Sequence, residues 1–294
     1  MLDFRVETFL CVCRHMNYTK AAEELRITQP GVSQHIRYLE DYYGTRLFHY
    51  SGRALSLTPA GEALKSAMLS VKHDILHLKS DMANLAAQEV FLLFGATLTI
   101  GEFFLPQRMT RYMRENPSAN IGLTVGNTKD LLKQLDEGKI DFALLEGYFP
   151  KHEYETRLIS KENYIAVCGS GYPMGEIKDF SDLFKNRLLI RESGSGTREV
   201  LHHYLSEHGY SVSDFKEMSE INNIHALKQL VAGGCGVSFL YEIAVREELD
   251  KGILKQVDIP GWELTHEFQF VWRKDSIYQE YYENMYEEIC GAQL

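Results

Sequence analysis

The sequence predicts an α+β multidomain chain in three parts: a small helical head, one long helix and an α/β body. Its 294 residues are too many for one ordinary domain. The head shows short apolar repeats with helical spacing, and a longer repeat follows that contains no Gly or Pro after Gly61. From residue 91 onward, strand patterns alternate with helical patterns, which is typical of α/β architecture. We therefore predict domains at residues 1–58, 59–89 and 90–294.

The composition is that of a globular protein, with 45% hydrophobic and 24% charged residues. No apolar run approaches the roughly 18 residues of a membrane span. Asp3 and Glu7 stand where a signal peptide would carry basic residues, so we expect a cytoplasmic protein without a membrane partner. The net charge is −10, but residues 1–58 hold seven Lys and Arg against six Asp and Glu, and the remainder 24 against 35. This distribution favours a head that touches nucleic acid locally over a protein that coats it.

Helical spacing predicts three helices in the head. The apolar run from Leu2 to Cys13 forms the first, Thr19 is a suitable N-cap for a short second helix, and Thr28 can cap a third. Pro30 falls in the first turn of the third helix, where its missing N–H costs no hydrogen bond.

The third helix has two chemically different faces. Its apolar face consists of Val32, Ile36 and Leu39, and its opposite side carries Gln29, Ser33, Gln34 and Arg37. Two short helices joined by a tight turn, the second exposing small polar groups and an Arg, have the geometry that enters a major groove. There Gln34 can pair with an adenine edge, and Ser33 can reach a base or a phosphate. On this pattern alone, a merely solvated polar face explains the residues equally well.

The surrounding residues distinguish the two interpretations. They run Thr19-x-Ala21-Ala22-x-x-Leu25-x-Ile27-Thr28-Gln29-Pro30-x-Val32-Ser33-x-x-Ile36-x-x-Leu39-Glu40, then Gly44-x-x-Leu47-Phe48, Gly52-Arg53 and Leu57-Thr58-x-Ala60-Gly61. This pattern of residues at fixed spacing resembles the winged helix-turn-helix of LysR-type transcriptional regulators. The resemblance implies that residues 1–58 bind double-stranded promoter DNA.

The resemblance also implies which residues touch DNA. The expected base and phosphate contacts are Thr19, Thr28, Gln29, Pro30, Ser33 and Gln34, and the expected backbone anchors are Arg37 and, in a wing spanning about 44–57, Arg53. Two residues depart from the family pattern. Gly31 replaces the usual Ala or Ser at a cost of ~1 kcal/mol of helix propensity, and Tyr50 stands where the family usually has Arg.

A long helix is predicted from Pro59 to about residue 87. Its apolar positions recur every three or four residues, at Leu64, Met68, Val71, Ile75, Leu78, Met82 and Leu85. So narrow a stripe is typical of a coiled-coil seam, and the alternative is a helix packed on its own body. In the LysR family this helix is the dimerisation element, so the resemblance implies a homodimer or homotetramer.

The body is predicted as two α/β units. The predicted strands are Phe91–Ala96, Ile121–Val125, Asp141–Leu145, Asn163–Cys168, Leu188–Ile190 and Gly236–Leu240. The predicted helices are Glu102–Glu115, Lys129–Glu137, 197–208, 223–232 and one after Asp275. The units meet near 161–169 and 265–272, a double crossing that is similar to the periplasmic-binding-protein-like (type 2) effector domain of the LysR family. The resemblance implies subdomain I at about 90–162 and 268–294, and subdomain II at about 163–267.

Polar residues follow several of these strands and open the next helix. The predicted effector-binding residues are Thr97, Thr99, Asn127, Thr128, Ser193, Ser195, Gly196 and Thr197. Helix N-termini at the carboxyl ends of parallel strands favour an anion, so we expect a carboxylate, sulfate or phosphate metabolite as effector. The alternative at any one position is an ordinary N-cap, most of all at Thr128 and Asn223. Glu146 and Gly147 also follow a strand, but we omit them because a buried carboxylate facing an anion is unfavourable.

The segments GATLTIG, VGNT and ESGSGTRE look like those of LysR-type regulators of carbon-dioxide fixation or sulfur metabolism. The sequence contains no G-x-S-x-G, H-E-x-x-H or G-x-G-x-x-G motif, and its five cysteines form no CxxC pair. We therefore expect no catalytic residue, metal or cofactor. A transport solute-binding protein and an architectural DNA-binding protein are weaker alternatives, and RNA polymerase is a further expected partner.

Overall fold

A computed structural model describes residues 2–51, 54–87 and 90–291. The chain forms two compact units. Unit 1 comprises Met1–Gln88, Asp136–Lys139 and Arg273–Gln279, and unit 2 comprises Glu89–Leu135, Ile140–Trp272 and Glu280–Leu294.

Unit 1 begins with three helices and a hairpin, followed by one long helix. These elements are α1 (Phe4–His15), α2 (Tyr18–Leu25), α3 (Gln29–Tyr43), β1 (Phe48–Ser51), β2 (Ala54–Leu57) and α4 (Pro59–Ala87). β1 and β2 pair antiparallel, with Phe48 opposite Leu57. The three predicted helices, the wing and the long helix are therefore all present.

The cap of α2 differs from the prediction. Asn17, not Thr19, precedes the helix, and its side-chain oxygen accepts hydrogen bonds from the N–H groups of Thr19 (2.9 Å) and Lys20 (3.0 Å). Our assignment of Thr19 as N-cap was wrong because Tyr18 is already helical, which places Thr19 inside the first turn. The predicted cap of α3 is confirmed, since Thr28 Oγ1 accepts from Gly31 N (3.2 Å).

The apolar face of α3 packs in the core of unit 1. Val32, Ile36 and Leu39 are at most 4% exposed, and they share this core with residues of α1, α2, the hairpin and Leu64 of α4. Burial of these side chains is the main driving force for assembling the helix-turn-helix. The other side of α3 is left to solvent.

The predicted stripe of α4 divides into two parts. Leu64 is buried in the unit 1 core and Met68 packs against it, so neither belongs to an exposed seam. Further along, Val71 (41%), Leu78 (47%) and Met82 (65%) are exposed. The side chain of Leu85 lies outside the described residues.

A second face of α4, adjacent to this exposed stripe, is buried by polar contacts with residues 273–279. Ser276 Oγ donates to Asp74 Oδ1 (2.6 Å), Ile277 N donates to Asp74 Oδ2 (3.1 Å), and Ser70 Oγ donates to Lys274 O (2.6 Å). This face of α4 thus matches the alternative that we gave, a helix packed on its own body. The exposed stripe of Val71, Leu78 and Met82 is not part of these contacts.

Unit 2 contains most of a nine-stranded sheet. Its strands are β3 (Val90–Thr97), β4 (Ala119–Gly126), β5 (Phe142–Leu145), β6 (Tyr154–Gly169), β7 (Arg187–Ile190), β8 (Glu217–Glu220), β9 (Val237–Tyr241), β10 (Leu254–Gln256) and β11 (Thr265–Arg273). The order is β4-β3-β5-β11-β6-β9-β7-β8, with β10 paired to β6. β3 is parallel to β4 and β5, and β7 is parallel to β8 and β9. β11 pairs antiparallel with β5, and β6 pairs antiparallel with β9. β11 and β6 lie next to each other in the sheet and so join its two parallel halves.

The sheet carries six helices of eight or more residues. They are α5 (Leu105–Glu115), α6 (Thr128–Asp136), α7 (Gly196–Glu207), α8 (Ile224–Ala232), α9 (Glu242–Asp250) and α10 (Gln279–Tyr286). The predicted helix Glu102–Glu115 instead starts with a π-helical turn, Ile100–Phe104, ahead of α5. β6 extends well before the predicted Asn163, and β8, α9 and β10 were missed. Among the helices that the structure describes, none is long and apolar enough to span a membrane.

Candidate effector site and nucleic-acid interface

The predicted effector residues lie where parallel strands end. β3 ends at Thr97, β4 at Gly126 and β5 at Leu145, and because the three strands are parallel their carboxyl ends lie at one edge. α6 starts next to this edge at Thr128. In the other half of the sheet, β7 ends at Ile190 and leads through a short loop to α7.

Glu146 joins these two halves. Its side chain is 2% exposed. Thr99 Oγ1 (3.1 Å) and Thr197 Oγ1 (2.7 Å) both donate hydrogen bonds to its Oε1. Thr128 Oγ1 donates to the backbone oxygen of the same residue (3.0 Å). Two predicted effector residues, Thr99 and Thr197, therefore bond the side chain of a residue that we had left out of the site, and a third, Thr128, bonds its backbone.

The structure places Glu146, which we had left out, beside two of the predicted effector residues. We assumed that the carboxyl would be charged, but burial raises its pKa to about 7, against the opposing effects of the Thr197 and Thr99 hydrogen bonds and the charge of Arg191. A protonated carboxyl does not repel an anion. The sequence signal that could have placed it is its position directly after the strand β5.

Three polar atoms around Glu146 are buried without a partner. Within residues 90–291, Thr97 Oγ1, Glu146 Oε2 and Arg191 Nη1 have no hydrogen-bond partner, although each is buried. Arg191 is 2% exposed and uses its other guanidinium nitrogens to bind Glu192 (2.8 and 2.9 Å). Because an unsatisfied buried polar group costs about 1–3 kcal/mol, this cluster is suited to a polar ligand.

The predicted DNA-contacting residues lie together on unit 1. Thr19, Thr28, Gln29, Pro30, Gln34 and Arg37 are exposed, and Ser33 is half-buried. Gln29 Nε2 donates to Ser33 Oγ (3.0 Å), so these two side chains are held side by side on α3. Arg53 lies outside the described residues.

Two family models match the chain. Residues 5–62 match the bacterial regulatory helix-turn-helix protein, lysR family, and residues 92–289 match the LysR substrate binding domain. The second match alone covers more than half of the chain. The chain belongs to the LysR family. It is accordingly a DNA-binding transcription regulator with an effector-binding domain, and the winged helix-turn-helix and two-subdomain periplasmic-binding-protein-like fold are confirmed.

Known relatives of this LysR-type regulator are transcription regulators. A RuBisCO operon transcriptional regulator of Acidithiobacillus ferrooxidans is 32% identical over 271 residues, which cover 91% of this chain and 86% of the relative. Among solved structures, a Corynebacterium glutamicum OxyR C206 mutant is 22% identical with a TM-score of 0.58 and covers 98% of this chain and 92% of its own. The Synechocystis CcmR regulatory domain in complex with 2-PG is 17% identical with a TM-score of 0.61. The match covers 69% of this chain and 97% of that domain. These two structures establish the shared fold.

Glycines bring the two strand ends of the LysR-type regulator together. Gly147 has a φ of +87°, and a Cβ there would lie 2.4 Å from Gly196 Cα. A Cβ on Gly196 would lie 2.3 Å from Glu146 O. The close approach at Gly196 is therefore made by the regulator's own backbone.

The remaining predicted effector residues differ in their surroundings. Ser195 is 3% exposed and precedes α7, and within the described part of the chain its side chain makes no capping hydrogen bond. Asn127, not Thr128, caps α6, because its Oδ1 accepts from Asp130 N (2.8 Å). Ser193 is exposed to solvent. Asn223 is a plain cap of α8, accepting from Ala226 N (2.8 Å).

A separate cavity of about 410 Å³ lies beside this cluster. It is lined by Gly147, Tyr148, Phe149, Lys151, Lys161, Thr265, His266, Glu267 and Gln269. None of the predicted effector residues lines this cavity. Thr97, Thr99, Thr128, Ser195 and Thr197 are all at most 5% exposed, so a ligand that contacts them is enclosed.

One group of side chains in unit 1 has metal-ligating atoms close together. Cys11, His15 and Glu24 offer ligand atoms within 4.8 Å of one another. His15 Nε2 bonds Glu24 Oε2 (2.6 Å), and Arg14 pairs with the other oxygen of the same carboxylate. Burial raises the pKa of the Cys11 thiol. A neutral thiol beside an arginine is a poor metal ligand, since metals require thiolate.

Proposed function

We propose that this LysR-type regulator binds a small anionic metabolite between the carboxyl ends of β5 and β7, and that the bound anion alters its interaction with promoter DNA. The observation that carries the proposal is the enclosed cluster of Thr97, Thr99, Glu146, Arg191 and Thr197. Its three unpartnered buried atoms call for a polar ligand. In this proposal, residues 1–58 contact DNA, residues 59–89 link the DNA-binding domain to the effector-binding domain, and residues 90–294 sense the metabolite.

An anion fits the charge of the cluster. Arg191 supplies a buried guanidinium with a free Nη1, and α7, a helix of 12 residues, points its N-terminus into the cluster at Ser195 and Gly196. The first N–H groups of a helix have no partner within the helix and favour negative charge. The CcmR domain, which was solved in complex with 2-PG, makes 2-PG a reasonable first compound to test beside carboxylates, sulfate and phosphate.

The DNA contacts are assigned by exposure and chemistry. Gln34 lies on the solvent side of α3 and can read an adenine edge. Arg37, one turn along the same helix, is exposed and suits a phosphate. Arg53 is proposed as a second phosphate contact on the resemblance alone.

Self-association follows from the exposed stripe of α4. The exposed Val71, Leu78 and Met82 and the half-buried Ile75 are spaced by four, three and four residues in chain order, which is the a/d spacing of a coiled coil. Paired half-sites in DNA are ordinarily bound by dimers. We propose a homo-oligomer that uses this stripe, and RNA polymerase as the partner through which bound effector changes transcription.

The effector site is tested by thermal unfolding of the full chain in the presence of small anions. The series is sulfate, phosphate, small carboxylates and 2-PG. At least one should raise the Tm of the wild type, and Thr197→Val should abolish that rise because it removes a donor of the cluster. Thr110→Val, an exposed hydroxyl on α5 bonded to Pro106 O (2.8 Å), is the matched control and should keep it. An equal rise in Thr197→Val would overturn the site.

The DNA assignment is tested by comparing two variants on operator and on unrelated DNA. Gln34→Ala should weaken operator binding selectively, by about 1–3 kcal/mol. Arg37→Ala should weaken binding to both DNAs and lower the slope of log K against log salt by about one. If both variants behaved alike on both DNAs, the division into base and phosphate contacts would be wrong.

A further inference from the structure

The cluster around Glu146 poses a problem of charge, because a carboxylate and an anionic ligand would occupy one enclosed space. Glu146 Oε1 already accepts two hydrogen bonds, from Thr99 and Thr197. Oε2 is buried, and within the described residues it has no partner. A free carboxylate oxygen can only accept, whereas a protonated one can donate to a ligand oxygen.

We propose that anion binding in this site takes up one proton, because the anion is held by the form of the regulator in which Glu146 carries a hydrogen on Oε2. The proton comes from solvent and forms the Oε2–H bond, and this O–H donates to the ligand. A monoanion and one proton enter without changing the net charge of the buried cluster, and with a dianion such as sulfate or oxalate the proton offsets one of the two negative charges. This inference rests on the proposed anion site.

The groups that surround Glu146 keep their charge when Glu146 takes up the proton. Charged Arg191 faces it from the loop after β7 and is paired with Glu192. Tyr164 of β6 and Tyr241 of β9 also face it, and burial raises the pKa of each well above the usual value. Both tyrosines therefore stay neutral. The remaining neighbours are the hydroxyls of Thr97, Thr99 and Thr197, which do not titrate in this range.

His266 is another buried group in this part of the body that could titrate near neutral pH. Its Nδ1 lies 3.4 Å from the Tyr241 hydroxyl, and burial lowers its pKa. The groups that influence it are Glu267, Lys151 and His203. Its lowered pKa keeps His266 neutral at the upper end of the range from pH 6 to 8. Glu146, whose pKa is raised to about 7, is the group that changes charge.

The test is calorimetric titration of the full chain with sulfate and with oxalate, two anions whose charge is constant between pH 6 and 8. Titrations at pH 8 in two buffers of different ionisation enthalpy give the number of protons taken up, which should be close to one. At pH 5.5, where Glu146 is already protonated, the number should be close to zero. The Kd of the wild type should rise about tenfold from pH 6 to pH 8.

Glu146→Gln separates this proposal from a structural role. The amide mimics the protonated acid, so at pH 8 it should bind about tenfold more tightly than the wild type, and its Kd should change less than twofold with pH. Glu207→Gln, which changes an exposed carboxylate, should behave as the wild type. A cooperative thermal unfolding transition at pH 6 is the control that Glu146→Gln is folded.

The outcomes separate the inference from the proposal on which it rests. If neither anion bound the wild type at any pH, the anion site itself would be wrong. If an anion bound without proton uptake, only the coupling would be refuted. If Glu146→Gln weakened binding equally at both pH values, the carboxylate would be accepting a hydrogen bond from the ligand, and the coupling would again be refuted.

Discussion

At the scale of single residues, the unusual group is Glu146, a carboxyl that is buried between two threonine hydroxyls. Its pKa of about 7 lies above its ordinary value of 4.5. The folded state therefore binds more protons than the unfolded state between these two values. Stability falls as pH rises through this window and levels off above it.

A first prediction concerns the pH dependence of the free energy of unfolding. The difference in free energy of unfolding between the wild type and Glu146→Gln should change by about 1 kcal/mol per pH unit between pH 5 and 7, in favour of the variant at higher pH. Denaturant unfolding of both proteins at several pH values measures it. Glu207→Gln should give a difference that is flat over the same range, and a flat difference for Glu146→Gln would contradict a raised pKa.

The residue scale also shows where sequence reasoning stops. The faces of α3, with Val32 inside and Gln34 outside, follow from helical spacing and were predicted. The position of Glu146 beside Thr197 joins residues 51 apart, and no local pattern contains such a pairing. Its protonation depends on burial, which is a property of the folded chain.

At the scale of elements, the junction of wing and long helix explains the Leu57-Thr58-x-Ala60-Gly61 pattern. Thr58 N donates to Leu47 O (3.0 Å), and Thr58 Oγ1 donates to Arg46 O (2.7 Å) while accepting from Gly61 N (3.0 Å). A Cβ on Gly61 would lie 2.1 Å from Leu47 O. The glycine is therefore required for the helix to approach the wing.

A second prediction is that Gly61→Ala destabilises the regulator. Helix propensity alone would stabilise it by about 1 kcal/mol, but the backbone clash should reverse the sign and cost about 1–3 kcal/mol. Gly31→Ala is the matched comparison, because a Cβ there meets only Thr28 Oγ1, at 3.3 Å, and its effect should be much smaller. Denaturant midpoints of the two variants measure the difference, and equal midpoints would contradict the close approach.

Some helices and strands were predicted from the sequence, and others were missed. Strongly periodic segments such as α4 and β4 were predicted within a few residues. α9 and β10 were missed because their short patterns depend on contacts with β6 and β9 in the assembled sheet. The wrong cap at Thr19 has a different cause, since Asn17 and Thr19 are both suitable caps by type and only the backbone decides between them.

At the scale of the whole molecule, the regulator's assembly depends on the exposed stripe of α4. A third prediction is that Leu78→Glu, which places a charge in the proposed seam, reduces the oligomer to a smaller species. Leu78 is 47% exposed, so the substitution should leave the fold of the subunit intact. Light scattering on a sizing column gives the mass, with Lys79→Glu, the adjacent exposed residue, as control. An unchanged mass for Leu78→Glu would remove the stripe from the interface.

The central claim is that an anion enclosed around Glu146 controls DNA binding. The direct measurement is the affinity of the full chain for a fluorescent operator fragment, with and without an anion that raises its Tm. The wild type and Thr110→Val should show a changed affinity when that anion is added. Thr197→Val should bind the operator as the wild type does without anion and should not respond. An identical response in Thr197→Val, or operator binding that is insensitive to an anion known to be bound, would contradict the claim.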